Sequence, residues 1–460
     1  MQSKRVAQLR KKQLVLAAMA ALGLTSMSAY SADPEVEALK QEVQEQRKLI
    51  DQLLANQQAG GNRVAANPPA AAKSPETNEA TVPAPPSDTI VKFYGMADVG
   101  VVNENTGYGH KTRVDGGGGW SASRFGVQVN RSMGNGLKAV AVAEAGLQYD
   151  TGSVGNSTPA LGINDTAGSS SGQNGTGPEI FARQIFAGLT GDFGRISIGR
   201  QYTASYIAVA AIGAPKGDGL LGSNAGSFSP LIGGMPTRVN SSLIYITPKV
   251  AGAYGMLTVT PGSENNTSGN VLTAAGATTT TNSKAGRGFD LGVIYSAGPF
   301  NAAVTGWDLY NTSWVTTGET GLAKKTGIQL AANYDLQVLK VYGSFVDGKI
   351  AGGNYQNVTK ALSSATVIGL GVLIPFGKST IDISAIHLND KSQLNRDGTM
   401  MGFGYWYTLY PNTVLYAAWG RQQNNHNASY GLADGADTVG TISKAGVSPS
   451  GFQGGMNFAF

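Results

Sequence analysis

Apolar and polar side chains alternate with a period of two residues through most of residues 89–460. In the segment KFYGMADVGVV (residues 92–102), every second residue from Phe93 is apolar or glycine, and Tyr94 and Asp98 lie between them. Side chains two positions apart point to the same side of a β-strand. Such segments therefore predict strands that have one apolar face and one polar or small face.

Short turn sequences and long polar stretches alternate between these predicted strands. Tight turns at one end and long loops at the other are typical of transmembrane β-barrels. Seven short turns between strand pairs, together with the two terminal strands, predict sixteen strands and place both termini on the short-turn side. The turn sequences are SMGNG (132–136), GDFG (191–194), PKVAG (248–252), SAGP (296–299), YDLQ (334–337), PFGK (375–378) and YPN (410–412).

The predicted fold is an all-β, transmembrane 16-stranded antiparallel β-barrel over residues 90–460, preceded by an α-helical coiled-coil segment. The alternatives are a soluble β-sandwich and a β-propeller. A soluble core needs more large aliphatic side chains than this region supplies, and a propeller shows a blade repeat, which the sequence lacks. Closed barrels and helices are the structures that pair all backbone groups inside lipid, and the sequence has no long apolar helix pattern.

Residues 1–31 predict a secretory signal peptide. Five basic residues precede the apolar run Leu14–Leu24, and the small-residue stretch SMSAYSA follows. This order is typical of a signal peptide, and eleven apolar residues are too few to span a bilayer. We expect cleavage near Ser31 or Ala32; the alternative is an N-terminal membrane anchor.

Residues 33–58 predict a coiled coil. Seam residues recur at alternating spacings of three and four from Val36, with polar Gln46 and Gln57 among them. An isolated helix of this length is marginal in water, so self-association is the simplest source of stability. A single amphipathic helix is the alternative. Residues 59–88, rich in Ala, Pro and Asn, predict an extended linker.

Composition excludes several kinds of chemistry. The chain has no Cys and only three His, which are far apart in sequence; we therefore expect no disulfide, no metal and no cofactor. Five of the 34 basic residues belong to the predicted signal peptide, which leaves as many basic as acidic residues, 29 of each, so charge does not support nucleic-acid binding. A membrane-embedded hydrolase is the enzymatic alternative, but no His has a nucleophile at a suggestive spacing. An enzyme is therefore not predicted.

Five strand segments and the terminal Phe carry a family resemblance. The segments are FYGMADVGV, SRFGVQ, GNGLKAVAVAEAG, ARQIFAGLTGDFGRISIGRQYT and RVNSSLIYITPKVAG. They resemble the trimeric Gram-negative outer-membrane porins, especially the neisserial and betaproteobacterial general porins. The resemblance implies a homotrimer in outer-membrane lipid that passes small hydrophilic solutes by diffusion.

The predicted coiled coil is similar instead to the N-terminal extension of DcaP-type dicarboxylate porins and of phosphate porins. The resemblance places this extension in the periplasm. It raises the alternative of a channel that prefers dicarboxylates or aromatic acids. A tether or adhesin, with the coiled coil contacting the cell wall, is a further hypothesis that is compatible with a pore.

In porins of this type the loop after the fifth strand folds into the barrel and narrows the pore. The resemblance assigns this role to residues 201–236, whose charged side chains are Lys216 and Asp218 alone. Many relatives carry several acids in this loop. The electric field in the constriction is therefore expected to be more purely positive here.

A basic ladder on the barrel wall faces this loop in the family. The matching positions are Arg124 in SRFG, Arg183 in ARQIFAGL and Arg238 at the start of the sixth strand. Arg200 is a weaker candidate, and Met96 stands where some relatives have a lysine. The alternative for each arginine is an ion pair at the rim or within the structure.

Strict alternation limits the interpretation of Arg183. If Arg183 faces the lumen, Gln184 and Phe186 fall on the outer face.

Fixed arginines in a water-filled constriction lower the electrostatic barrier for anions and raise it for cations. The guanidinium fork also matches carboxylate and phosphate groups. Residues 90–460 carry 24 basic and 20 acidic residues, a small excess of the same sign. The sequence therefore predicts a channel that leans towards anions.

The chain ends on Phe460, with Phe458 two residues before it. This ending resembles the signal by which outer-membrane barrels are recognised for assembly. The last strand is expected to pair with the first strand, around KFYGMADV.

Overall fold

A computed structural model of the protein describes residues 88–107, 109–115, 119–154, 180–208, 212–213, 232, 234–262, 269–273, 276–280, 286–310, 324–351, 364–432, 442 and 444–460. The predicted signal peptide, the coiled coil and all but the last residue of the predicted linker lie outside these residues and stay predictions. Within the described ranges, no helix is long and apolar enough to cross a membrane.

The described chain is built almost entirely from β-strands. One short helix, α1 (Ala204–Ala208), follows the sixth strand. The strands are β1 (Thr89–Asn105), β2 (His110–Asp115), β3 (Arg124–Gly134), β4 (Leu137–Gly146), β5 (Gln184–Gly191), β6 (Gly194–Tyr202), β7 (Arg238–Ile246), β8 (Ala253–Pro261), β9 (Gly269–Thr273), β10 (Gly276–Thr280), β11 (Arg287–Ala297), β12 (Phe300–Tyr310), β13 (Lys324–Asp335), β14 (Lys340–Ala351), β15 (Ser364–Phe376), β16 (Ser379–Asp390), β17 (Gly398–Tyr410), β18 (Thr413–Asn424) and β19 (Ser450–Ala459).

Seventeen of these strands form one antiparallel sheet that closes on itself. β1 pairs with β19, from Met96 opposite Ala459 to Asn105 opposite Ser450. The second member of the barrel is interrupted, because β2 pairs with the later half of β1 and β3 pairs with the earlier half. The wall therefore has sixteen members, and the predicted 16-stranded antiparallel barrel is confirmed.

Two features of the strand arrangement were not predicted. In the second member, β2 ends at Asp115 and β3 begins at Arg124, so this member is made of two strands. In addition, β9 and β10 form a separate two-stranded hairpin within the long connection between β8 and β11.

All seven predicted short turns join neighbouring strands of the wall. The turn between β3 and β4 shows why the sequence identifies them. Its central residues Asn135 and Gly136 have φ of 49° and 76°. A two-residue hairpin turn with both φ values positive strongly favours Asn-Gly.

The two faces of the wall differ as the alternation predicts. In β11, the side chains of Phe289, Leu291 and Val293 are about half exposed, and Asp290 between them is fully buried. In β15, Leu370 is 63% exposed and Val367 is fully buried. An exposed face that is continuously apolar suits the hydrocarbon of a bilayer, while the polar groups point inward.

The last residue completes the pairing of the last strand with the first. The Gly95 N–H donates to the Phe460 carbonyl at 2.9 Å, and the Phe460 N–H donates to the Gly95 carbonyl at 3.1 Å. The Phe460 ring lies over Gly95, where a Cβ would come within 2.2 Å of it. The ring of Phe458 is stacked on that of Phe460, with centroids 6.0 Å apart.

We expect Phe460→Ala to reduce the amount of folded barrel in the outer membrane several-fold, because it removes both the predicted assembly signal and the contact over Gly95. Heat-modifiable migration of the outer-membrane fraction measures folded barrel. Phe452→Ala, at an exposed aromatic on the same strand, is the control and should assemble normally. Equal yields from the two variants would contradict a special role for the terminal Phe.

The largest apolar cluster lies inside the barrel, on the inner wall of β12 and β14–β17. Two segments that are not strands of the wall cover it. The first contributes Ile232 and Met235, and the second, between β18 and β19, contributes Ala428 and Tyr430. The wall residues of this cluster include Trp307, Leu309, Val346, Val367, Ile386, Leu388 and Met400. This side of the interior is therefore packed and closed to water.

Candidate functional site

A buried carboxylate, Glu144 of β4, joins groups from several strands on the polar part of the inner wall. Its Oε1 accepts a hydrogen bond from Arg183 Nε at 2.8 Å, and its Oε2 accepts one from Tyr94 Oη at 2.9 Å. Both side chains of the ion pair are almost completely buried. Arg124 lies on the neighbouring strand β3, two residues before Gly126, which is paired with Glu144. One carboxylate is therefore shared by Arg183 and Tyr94.

The hydroxyl of Tyr202 joins two of the arginines. It accepts hydrogen bonds from Arg183 Nη2 at 2.6 Å and from Arg238 Nη2 at 3.1 Å. The guanidinium of Arg238 also lies over the Tyr202 ring, 4.6 Å from its centroid, a cation–π contact. The ring of Tyr206, in α1, is stacked on the ring of Tyr202, with centroids 4.9 Å apart.

Arg124 occupies the first position of β3. Its Nη1 donates to the Ala122 carbonyl at 2.9 Å and to Ser121 Oγ at 3.3 Å. These acceptors belong to the residues directly before β3. Arg183 is thus joined to Glu144 and, through Tyr202, to Arg238, while Arg124 lies on the strand beside Glu144. We call Arg124, Arg183 and Arg238 the basic cluster.

Arg200 has different partners, although it lies on β6 close by. Its Nε donates to the Ala182 carbonyl, and its Nη1 donates to Asn240 Oδ1. These bonds tie the chain before β5 to β6 and β7. Lys216 and Asp218 lie outside the described residues, so their placement in the constriction stays a prediction.

The expectation that Phe186 lies on the outer face is wrong. Phe186 is only 8% exposed and packs with Val140 and Val142 on the inner side, while Ile185 is exposed outside. Arg183 still reaches Glu144 because it precedes the first residue of β5. Its backbone is irregular there, and strict alternation does not apply.

The chain after β6 is held against the part of the inner wall formed by β11 and β13. Ser205 of α1 donates to the buried carboxylate of Asp290 through its backbone N–H at 2.9 Å and through its Oγ at 2.7 Å. Gln329 Nε2 donates to the Ser205 carbonyl at 2.8 Å. Asn333 Nδ2 donates to the carbonyl of Ile212 at 2.9 Å. Side chains of β11 and β13 therefore fix the start of this segment.

The later described part of residues 201–236, which leads to β7, also contacts the wall. The Ile232 carbonyl lies so close to Gly348 of β14 that a Cβ there would come within 2.1 Å. Met235 and Val239 then join the apolar cluster. The described parts of residues 201–236 thus begin and end in contact with the inner wall.

Sequence reasoning did not identify Glu144, Tyr202 or Asp290. A local signal existed for two of them, because Glu144 in AVAEAG and Asp290 in GFDLGV are single carboxylates at inward positions of otherwise apolar strands. A carboxylate at such a position needs a partner. The partners themselves lie tens of residues away and have no local signal. Within the described ranges, no group of three or more His, Asp or Glu side chains is placed to hold a metal ion.

A closed barrel with an apolar exterior and a polar, charged interior defines a membrane-spanning channel of the outer-membrane type. The family model for Gram-negative porins matches residues 63–427. The chain therefore belongs to the Gram-negative porin family and is an outer-membrane channel.

Individual relatives agree with this assignment. Outer membrane porin protein 32 of Delftia acidovorans is 25% identical over 388 residues, which cover 81% of this chain and 95% of that protein. Among solved structures, the anion-selective porin from Comamonas acidovorans has a TM-score of 0.63 at 20% identity, covering 81% of this chain and all of that one. The trimer form of OmpT from Vibrio cholerae has a TM-score of 0.56 at 15% identity, with 81% and 100% covered. The two structural likenesses show the shared fold.

Proposed function

We propose that this porin is a passive channel for small hydrophilic anions, and that the basic cluster is its selective constriction. The observation that carries the proposal is a connected set of arginines: Arg183 pairs with Glu144, and Arg183 and Arg238 both donate to the Tyr202 hydroxyl. Arg124 lies on the strand next to Glu144. Glu144 balances only one of three fixed positive charges. The local excess of positive charge lowers the barrier for an anion and raises it for a cation.

Arginine side chains are suited to this role because the guanidinium presents its positive charge in a planar fork of donors. Arg183 and Arg238 are held by the Tyr202 hydroxyl, so both charges are fixed in place before a solute arrives. Fixed charges beside low-dielectric walls act more strongly on a passing ion than mobile surface charges do.

We propose further that residues 201–236 fold into the lumen and face the basic cluster. Two contacts support this: Ser205 is bound to Asp290 near one end, and Ile232 is seated on Gly348 near the other. Since the inner wall of β12 and β14–β17 is covered by apolar packing, the open part of the lumen lies towards the arginines. Solutes then pass between the segment and the basic cluster.

Two further parts of the proposal rest on relatives and on sequence. A relative of this fold is described as anion-selective and another as a trimer, and we propose a homotrimer here. We also propose that residues 33–58 extend into the periplasm and contact the cell wall.

Reversal potentials of the purified protein in planar bilayers under a KCl gradient test the selectivity. We expect a clear preference for chloride over potassium. Closure of open channels in three equal steps is expected for a trimer. Preference for potassium would refute the anion proposal while leaving the channel itself intact.

A narrower function, preference for dicarboxylates or aromatic acids, is favoured by the Tyr202 site. Two guanidinium groups donate to the same hydroxyl, and Arg238 lies over the ring. Paired guanidiniums suit two carboxylates, and the aromatic rings offer a stacking surface. Block of chloride current by succinate or benzoate, with acetate as the control, distinguishes this function from general diffusion.

A further inference from the structure

Residues 119–123, which directly precede β3, lie against the inner wall. A continuous strand would pair the same backbone groups within the sheet. Here Trp120, Ala122 and Ser123 are almost fully buried inside the barrel instead. We call residues 119–123 the inner segment.

A buried carboxylate, Asp98 of β1, binds this inner segment through its backbone. The N–H groups of three consecutive residues donate to it: Gly119 to Oδ1 at 3.1 Å, and Trp120 and Ser121 to Oδ2 at 3.3 and 2.9 Å. Successive backbone N–H groups that donate to one anion form an anion-binding concavity. The Ser123 hydroxyl also exchanges hydrogen bonds with the backbone of Asp98, at 2.9 Å each.

Two wall residues complete the set of donors around Asp98. Tyr416 Oη donates to Oδ1 at 2.6 Å, and Asn457 Nδ2 donates to Oδ2 at 2.8 Å. Asp98 thus accepts from the inner segment, from β18 and from β19 together. A buried carboxylate is tolerated when its oxygens are saturated in this way.

The side chain of Trp120 fixes the inner segment from its other side. Its ring centroid lies 5.8 Å from that of Trp406 and 6.3 Å from that of Tyr416. Leu373 and Val414 belong to the same buried cluster. The inner segment therefore extends over β1, β19 and β18 and reaches β17.

The inner segment holds an arginine of the basic cluster. Both hydrogen bonds of Arg124 Nη1 go to acceptors within it, the Ala122 carbonyl and Ser121 Oγ. The Ser121 N–H is at the same time bound to Asp98. A single residue therefore links the Asp98 carboxylate to the Arg124 guanidinium.

We propose that the inner segment is a second inward element of the constriction, and that Asp98 is the positioning residue that fixes Arg124 in the lumen. The expected effect on selectivity rests on the proposed function, in which the basic cluster favours anions. The described residues of 201–236 contact β11–β14, whereas the inner segment contacts β1 and β17–β19. The lumen is thus narrowed from two separate sides.

In planar-bilayer recordings of Asp98→Ala, the direction of the change in chloride preference distinguishes two possible roles of Asp98. If Asp98 acted only through its charge, its removal would raise the chloride preference. If it positions Arg124, its removal releases the inner segment, so the chloride preference should fall several-fold and the single-channel conductance should rise. Asp382→Ala is the matched control, because Asp382 is a buried inward carboxylate bound by Tyr342 Oη at 2.6 Å. That control should leave the chloride preference unchanged or raise it.

A second variant keeps the proposal testable if Asp98→Ala does not assemble. The chain has no Cys, so Ser121→Cys introduces a single thiol. We expect a negatively charged methanethiosulfonate reagent to modify it and to reduce the current by a large fraction. Thr151→Cys, at an exposed position of a long loop, should react without loss of current.

The outcomes separate this inference from the proposed function. Unchanged current after modification of Ser121→Cys, or a higher chloride preference of Asp98→Ala, would overturn the role of the inner segment. A wild-type channel without chloride preference would refute the proposed function alone, since thiol block would still report whether the inner segment lines the lumen.

Discussion

Arg183→Ala is expected to lower the chloride-to-potassium permeability ratio several-fold, and Glu144→Gln is expected to raise it. The first change removes a positive charge and leaves Glu144 without the partner that lies 2.8 Å away. The second change leaves three arginines uncompensated. A permeating ion and a fixed unit charge about 7 Å apart interact by about 0.6 kcal/mol in water and by about 2.4 kcal/mol at an effective dielectric constant near 20. Changes of several-fold follow from energies in this range.

The variant that combines Arg183→Ala with Glu144→Gln should distinguish the effect of the ion pair on stability from its effect on selectivity. Breaking a buried ion pair from one side costs about 3–5 kcal/mol, because the remaining charge stays buried. Arg183→Ala should therefore lower the unfolding temperature of the barrel. Arg183→Ala combined with Glu144→Gln should recover most of that loss while its chloride preference stays below that of Glu144→Gln alone.

Arg131→Ala is the control for charge alone, since Arg131 is exposed near the short turn of β3. It should change neither selectivity nor unfolding temperature by a comparable amount. A permeability ratio for Arg183→Ala equal to that of Arg131→Ala would remove Arg183 from the constriction.

Release of residues 201–236 should have the largest effect on pore size. Asp290→Ala removes the acceptor of two hydrogen bonds from Ser205. Hydrogen bonds to a charged group contribute about 1.5–3 kcal/mol each. We expect a higher single-channel conductance, more current noise and faster uptake of larger sugars in liposome swelling.

Gly348→Val tests the other end of the same segment by a different mechanism. The added side chain would occupy the position of the Ile232 carbonyl, which lies within 2.1 Å of a Cβ at this glycine. The chain around Ile232 must then move into the lumen. The single-channel conductance should therefore change although the hydrogen bonds between Ser205 and Asp290 are intact.

Asp308→Ala is the control for both variants, because Asp308 pairs with Lys324 at 2.7 Å and both are partly exposed. A conductance of Asp290→Ala and Gly348→Val equal to that of Asp308→Ala would show that residues 201–236 do not narrow the pore.

The wall of the barrel was accessible from sequence because its signals are local. In β11, alternation of Phe289, Leu291 and Val293 with inward residues is enforced by lipid on one side and polar contacts on the other. The turn at Asn135 and Gly136 is equally local, since positive φ at two successive residues selects those residue types. Strand number and turn positions follow from such signals.

Departures from the regular wall had no such signal. Arg183 reaches inward from irregular backbone before β5, and alternation therefore gave the wrong side for Phe186. The interruption of the second member depends on Asp98, Tyr416 and Asn457, which lie far apart in the chain and meet through closure of the barrel.

Alternation and turn sequences were enough to predict a sixteen-membered barrel and its membrane-facing surface, and the family resemblance pointed to the arginines. The pairing of polar groups across the interior could be seen only in the folded barrel: Arg183 with Glu144, Arg238 with Tyr202, and Asp98 with the inner segment. The physical reason is that a period of two fixes only the side of the wall on which a residue lies. Its height and its partners inside the lumen are set by strand register and by segments that fold inward.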